Sequence, residues 1–277
     1  MTSRILRLIR LYYSLPLAGG FIVIMLYLRG GSLEGVLEKT LLAFASLFCI
    51  ISAAYCLNDI CDRRIDAVNK PSRVLPSGSL NVKTAIIFCA GLFAAGLAFA
   101  FFCGAAFSIA AAGLSGLLIL YDTKSKSAGV FKVLLAAGLT TSLYPLAFTL
   151  AEPVHTPRLA VLYIHPVWLF FSSLGYELLK DARDVKGDST FSSADLQYRE
   201  KKYTRAARFI IPAASLITLI PYFAGMCREV YLASAAGAIL LAIASTGRKP
   251  SAAIRLVYCE VFLITAGSLA DIIIFGP

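Results

Sequence analysis

Nine apolar stretches follow one another along this chain, and they constrain its fold more than any other feature. Each is about 20 residues long, the length that an α-helix needs to cross a bilayer. Of the 277 residues, 58% are hydrophobic and 15% are charged, so a water-soluble fold would expose a large apolar surface. The pattern predicts an all-α, polytopic membrane protein with about nine transmembrane helices. They are expected near residues 6–28, 40–58, 82–102, 105–121, 130–150, 159–179, 206–225, 229–246 and 255–275.

The polar connections between these stretches are short, except for two near residues 59–81 and 180–205. No other segment is long and polar enough to form a soluble domain. We therefore expect residues 1–277 to form a single transmembrane domain.

The basic residues are distributed unevenly between alternate connections. If the N-terminus is cytoplasmic, most of them lie on the cytoplasmic side, including those at positions 4, 7 and 10. Four remain for the other side: Arg29, Lys39, Arg158 and Arg228. This asymmetry is typical of multi-pass proteins of the cytoplasmic membrane. It accounts for the net charge of +10, so we expect membrane lipids and no nucleic acid among the partners.

Two aspartate triplets with identical spacing lie in the two long connections. Aspartates at i, i+3 and i+7 share one face of a helix, and clustered carboxylates need cations to offset their repulsion. Oxygen-only ligands suit Mg²⁺, which binds one or two carboxylates together with substrate phosphate oxygens. We therefore predict that both triplets point into one cytoplasm-facing pocket and bind Mg²⁺ around a diphosphate. The metal ligands would be Asp59, Asp62, Asp66, Asp181, Asp184 and Asp188.

Basic residues lie beside both triplets, where a bound diphosphate would need them. Arginine offers a two-pronged contact to phosphate, whereas lysine acts more as a point charge. For any single residue, a role in membrane topology or lipid headgroup binding is the alternative. We favour substrate binding for Arg73, because it lies in a polar segment closed by Pro76 and Gly78. The other candidates are Lys70, Lys126 shortly after Tyr121, and Lys180.

Two further acidic residues, Glu260 and Asp271, lie inside the last apolar stretch. Charged groups inside a membrane are costly unless they are paired or face water. We expect each of them to be paired or to line a cavity.

The two motifs together resemble the signatures of the UbiA superfamily of intramembrane prenyltransferases. The first is Asn58-Asp59-x-x-Asp62-x-x-x-Asp66 followed by Asn69-Lys70-Pro71-x-Arg73-x-x-Pro76-Ser77-Gly78, and the second is Asp181-x-x-Asp184-x-x-Gly187-Asp188. The positions of the motifs after the second and sixth stretches also match, so the resemblance covers the whole chain.

The resemblance implies a bundle of helices arranged around a central cavity that opens toward the cytoplasm. It also implies an enzyme that transfers a prenyl group from a prenyl diphosphate donor to a lipophilic acceptor with the help of Mg²⁺. It implies catalytic roles for Asp62, Asp66, Asp184 and Asp188. Substrate binding would fall to Asn58, Lys70, Arg73, Tyr121, Lys126 and Lys180.

The style of the first motif favours the branches that make archaeal ether lipids, attach chlorophyll tails or prenylate homogentisate. An acceptor of the geranylgeranylglyceryl phosphate type is the preferred interpretation. An aromatic, quinone-precursor or chlorophyll-precursor acceptor is the first alternative. A terpene cyclase on the same scaffold is the second alternative, and a cation transporter is the third.

Overall fold

The protein is helical through the residues that its computed structural model describes, 2–124, 129–184 and 193–276. No strand occurs among them, so the all-α prediction is confirmed. The first helices are α1 Thr2–Leu8, α2 Leu11–Leu28, α3 Leu37–Cys61, α4 Arg63–Asn69, α5 Val82–Cys103, α6 Ala105–Lys124, α7 Val130–Thr141 and α8 Leu143–Leu150. They are followed by α9 Val161–Asp184, α10 Ser193–Ser215, α11 Ile220–Phe223, α12 Glu229–Thr246 and α13 Pro250–Phe275, with 3₁₀ turns at Pro157–Ala160 and Leu216–Leu219.

Nine helical stretches in this part of the chain are long and apolar enough to cross a membrane, as predicted. The chain is therefore a multi-pass membrane protein. The fifth stretch, Val130–Leu150, combines α7 and α8, and the seventh, Tyr198–Phe223, begins earlier than expected. The first begins later, at Leu11. This is because residues 2–8 form the separate helix α1.

The chain divides into two compact units. Unit 1 comprises Met1–Ile22, Glu34–Lys132 and Pro145–Leu150. Unit 2 comprises Val23–Leu33, Val133–Tyr144 and Ala151–Pro277. The first aspartate triplet belongs to unit 1 and the second to unit 2. The single domain, the central cavity and the shared pocket stay predictions.

Within unit 1, α3 packs directly against α5. The Ser46 hydroxyl of α3 donates a hydrogen bond to the carbonyl of Gly96 on α5, at 2.8 Å. A Cβ atom on Gly96 would lie 2.7 Å from Cγ1 of Ile50 and 3.0 Å from the Ser46 carbonyl. Small residues allow this kind of approach between membrane helices. Because α3 ends within the first motif, the contact at Gly96 also supports the site described below.

Replacing Gly96 with valine is expected to destabilise unit 1, because the added side chain has to push α3 and α5 apart. Overpacking of this kind costs about 1–3 kcal/mol. Gly91→Val is the matched control, since Gly91 lies on the same helix and a Cβ atom there would meet no other atom within 4 Å. Thermal unfolding of both purified variants in detergent measures the difference. Equal melting temperatures would contradict the tight packing at Gly96.

Within unit 2, α9 packs against α10 and α13, and α12 packs against α13. Glu260 of α13 is fully buried there. Its Oε1 atom accepts hydrogen bonds from Trp168 Nε1 at 2.9 Å, Ser172 Oγ at 3.3 Å and Ser215 Oγ at 2.6 Å. Asp271 forms an ion pair with an arginine. Asp271 is therefore paired with a cation, as the sequence indicated. Glu260 is instead held by neutral donors, and its Oε2 atom is buried without a hydrogen-bond partner among the described residues.

Candidate active site

The first triplet lies at the junction of α3 and α4, which do not form one continuous helix. The sequence predicted three aspartates on one helix face, but α3 ends at Cys61 and Asp62 adopts φ −84° and ψ 0°. Hydrogen bonds nevertheless bridge the break, from the Asp62 N–H to the Asn58 carbonyl and from the Asp66 N–H to the Asp62 carbonyl, each 2.8 Å long. Asp59 and Asp66 are each 3% exposed, whereas Asp62 is half-buried.

Arg73 joins the two buried carboxylates of this triplet. Its Nη1 atom lies 3.1 Å from Asp59 Oδ1 and donates a hydrogen bond to Asp66. Lys70 Nζ lies 3.8 Å from Asp66 Oδ1. Burial raises the pKa of Asp66 above its ordinary range, although Arg73 and Lys70 each lower it in part. Four residues predicted from sequence are thus brought together.

The segment after Lys70 holds Arg73 in this position through a compact turn. Val74 and Leu75 are buried beside it. The Ser77 N–H donates to the Arg73 carbonyl at 3.0 Å, and the Gly78 N–H donates to the Leu75 carbonyl at 3.1 Å. Gly78 has φ +70°, a conformation that favours glycine. The glycine that closes the motif is therefore required by the turn.

Arg10 also binds the first motif, which the sequence analysis did not anticipate. Its guanidinium donates hydrogen bonds to Asp59 and, at 3.3 Å, to Asn58 Oδ1. It lies 5.0 Å from the centre of the Tyr55 ring, a cation–π distance. Burial lowers the pKa of Arg10, but Asp59 and Tyr55 more than offset this and the net shift is upward. Arg10 therefore stays charged beside the motif.

Asp122 is a second residue that the sequence analysis missed. It is 3% exposed in the last turn of α6, directly after the half-buried Tyr121. Its Oδ1 accepts a hydrogen bond of 3.0 Å from Asn58 Nδ2. An ionisable residue at the end of an apolar stretch is a signal that was available in the sequence, because such residues are costly in membranes and usually functional.

One apolar cluster fixes the segments that carry Arg10 and Arg73. Leu8, two residues before Arg10, and Leu75, two residues after Arg73, are both part of it. The remaining buried members come from α3 and α5: Ala53, Cys56, Ala85 and Cys89. The two arginines are thus held against the same end of α3 by neighbouring hydrophobic anchors.

The second triplet begins in the last turns of α9. Asp181 is half-buried, and the Asp184 side chain is 29% exposed. Arg183 donates from Nε and Nη2 to the two oxygens of Asp184, at 2.7 and 2.8 Å. Lys180 Nζ donates to Glu177 Oε1 at 2.7 Å. The carboxylates on this helix end, like those of the first motif, are interleaved with cations.

Two predicted residues, Asp188 and Lys126, lie outside the described residues. Within residues 2–124, 129–184 and 193–276, no three histidine, cysteine, aspartate or glutamate side chains converge as a metal-binding group. In unit 1 the carboxylates of Asp59 and Asp66 are instead bound by Arg10 and Arg73.

The similarity to known proteins extends over most of the chain. Residues 16–256 match the model of the UbiA prenyltransferase family. The digeranylgeranylglyceryl phosphate synthase of Methanopyrus kandleri is 31% identical over 212 residues, which cover 72% of this chain and 75% of that protein.

Two solved structures share the fold. One, from a study of digeranylgeranylglyceryl phosphate synthase in membranes, is 25% identical with a TM-score of 0.70 and covers 99% of both chains. The other is a UbiA homologue from Archaeoglobus fulgidus bound to GPP and Mg²⁺, at 16% identity and a TM-score of 0.64, covering 96% of this chain and 98% of that one.

Proposed function

The chain belongs to the UbiA prenyltransferase family, and we propose that it transfers a prenyl group from a prenyl diphosphate to an acceptor of the geranylgeranylglyceryl phosphate type. The acceptor is proposed because relatives about 30% identical over more than two thirds of their length are digeranylgeranylglyceryl phosphate synthases. The bond that breaks joins the allylic carbon to the diphosphate, and the new bond joins that carbon to the acceptor hydroxyl oxygen. The hydroxyl proton leaves with a base or with the diphosphate.

The arrangement around Arg73 is the observation that best supports a diphosphate substrate. The Arg73 guanidinium lies between two buried carboxylates, and Lys70 lies alongside. Positive groups that can attract a diphosphate are therefore close to negative groups that can bind a metal ion. Arg73 and Lys70 would stabilise the leaving diphosphate, because its negative charge grows as the carbon–oxygen bond breaks. Groups that are already in place stabilise this charge more in the transition state than in the ground state.

The donor set of the first motif fits Mg²⁺. Its charged ligand candidates are aspartate oxygens, and hard cations prefer such ligands. Bound Mg²⁺ would supply charge neutralisation to the diphosphate oxygens. We propose that the metal is held by Asp59, Asp62, Asp66, Asp181, Asp184 and Asp188.

The basic and polar residues of the motifs are proposed to bind the diphosphate. Arg73 offers a planar, two-pronged donor, and Lys70 offers a point charge on the same side. We assign supporting contacts to the remaining predicted residues, which are Asn58, Tyr121, Lys126 and Lys180.

We also propose that the protein resides in the cytoplasmic membrane with these residues on the cytoplasmic side. The support is the excess of lysine and arginine in the connections that carry both motifs. Membrane lipids surround the protein, and both the donor tail and the acceptor are lipophilic enough to reach the enzyme from the bilayer.

The test is Mg²⁺-dependent diphosphate release from geranylgeranyl diphosphate by the purified protein, with and without geranylgeranylglyceryl phosphate. The expected result is release that requires both Mg²⁺ and the acceptor, together with a diether product detected by mass spectrometry. Homogentisate, offered as an aromatic acceptor at the same concentration, is expected to give no product.

Release without any acceptor would indicate a cyclase or a hydrolytic reaction. Transfer to homogentisate in place of the glyceryl phosphate would overturn the proposed acceptor and leave the prenyl-transfer reaction standing.

A further inference from the structure

We propose that Asp122 is a positioning residue for the prenyl diphosphate site, acting through Asn58 and Arg10. The inference rests on the proposed function of the first motif. It concerns a carboxylate outside both aspartate triplets, located on α6 rather than on α3 or α4. The contacts Asp122–Asn58, Asn58–Arg10 and Arg10–Asp59 form a continuous chain within unit 1.

The two neighbours of the Asn58 amide determine its orientation. An ionised carboxylate can only accept hydrogen bonds, so Asp122 must face the amide NH₂ group, 3.0 Å away. A guanidinium can only donate, so Arg10 must face the amide oxygen, 3.3 Å away. Both requirements give the same orientation. Without Asp122 the amide could rotate and present its NH₂ group toward the arginine.

Asn58 in turn helps to place Arg10, which occupies an unusual backbone conformation. Arg10 has φ +47°, the only positive φ at a non-glycine position in the described part of the chain. The left-handed region is unfavourable for an L-residue, because Cβ comes too close to the following carbonyl oxygen. The Arg10 side chain is held by Asp59, by the Asn58 amide oxygen and by the Tyr55 ring. Strained residues held by several contacts are concentrated at functional sites.

The burial of Asp122 also argues for more than a packing role. Only 3% of the residue is exposed, at a position where α6 meets α3. Burying a carboxylate is costly, and an apolar side chain would join the two helices without that cost. An acceptor is needed, however, to hold the NH₂ side of Asn58, and the Asp122 carboxylate supplies it.

The experiment compares three variants of the full chain. Asp122→Ala removes the acceptor for the Asn58 amide. Asp122→Asn keeps an acceptor, because the new amide oxygen can accept from the Asn58 NH₂ group while the negative charge is removed. Glu38→Ala is the matched control, an exposed carboxylate in the first turn of α3.

Each variant is measured for kcat and KM with geranylgeranyl diphosphate, for thermal stability, and for Mn²⁺ binding by electron paramagnetic resonance in the presence of that diphosphate. For Asp122→Ala we expect kcat/KM and Mn²⁺ affinity to fall by roughly 10- to 100-fold, the usual effect of removing a group that orients a ligand-binding residue. Asp122→Asn should show little of this loss, because it keeps the acceptor for Asn58, and Glu38→Ala should match the wild type.

Unchanged kinetics and Mn²⁺ affinity in Asp122→Ala, with only a lower melting temperature, would show a purely structural role and overturn the proposal. So would an Asp122→Asn variant that remains folded but loses as much kcat/KM and Mn²⁺ affinity as Asp122→Ala. Because Mn²⁺ binding does not require turnover, it separates this proposal from the proposed function. A wild-type protein that binds Mn²⁺ with the diphosphate but transfers no prenyl group would contradict the function alone.

Discussion

Asp62→Asn and Asp184→Asn are each expected to reduce prenyl transfer by roughly 10²- to 10³-fold or more, the effect of losing one preorganised group at a site of developing charge. Each substitution keeps the size of the side chain and removes the charge proposed to bind Mg²⁺. These two positions give the cleanest test, because Asp62 is half-buried and the Asp184 side chain is 29% exposed. Asp59 and Asp66 are less suitable, since Asp59 is the counter-charge of the half-buried Arg10 and both carboxylates pair with Arg73.

The measurement is diphosphate release from geranylgeranyl diphosphate at saturating Mg²⁺ and acceptor, normalised to the amount of folded protein in the membrane fraction. Glu38→Gln on α3 controls for the loss of an acidic residue, since Glu38 is exposed and near the opposite end of that helix. If both aspartate variants retained wild-type turnover, the assignment of a metal site to the triplets would be wrong.

The membrane architecture could be predicted from sequence because it depends on local properties. A stretch of about 20 apolar residues must form a helix in a bilayer, where every backbone N–H and carbonyl needs an internal partner. The positions of all nine spans followed from this requirement. The proximity of Lys70 and Arg73 to the first triplet was also predictable, because only a few residues separate them along the chain.

The contacts of Arg10 and Asp122 could not be predicted in the same way. Arg10 is 48 residues from Asn58, and Asp122 is 64 residues away. Nothing in the local pattern indicates which of the basic residues near the N-terminus turns inward, because this depends on how Leu8 packs against α3. The break at Asp62 was also missed, since neither proline nor glycine marks it.

A second long-range contact, the buried ion pair of Asp271 and Arg158, joins three elements of unit 2. Their side chains are 0% and 4% exposed, and Arg158 Nη1 lies 2.5 Å from Asp271 Oδ2. Asp271 also accepts from the backbone N–H groups of Arg228, at 3.0 and 3.1 Å, and of Tyr231, at 3.1 Å. The carboxylate thereby caps the N-terminus of α12, where Arg228 itself forms no side-chain cap.

Asp271→Ala should accordingly destabilise the protein by about 3–5 kcal/mol, because it leaves the Arg158 charge buried without a partner and uncaps α12. Thermal or denaturant unfolding of the purified protein measures this loss. Arg158→Met combined with Asp271→Asn should be milder than Asp271→Ala alone, since no charge is left buried and the asparagine oxygen can still accept from the α12 backbone. A double variant as unstable as Asp271→Ala would show that the cost does not come from the unpaired arginine.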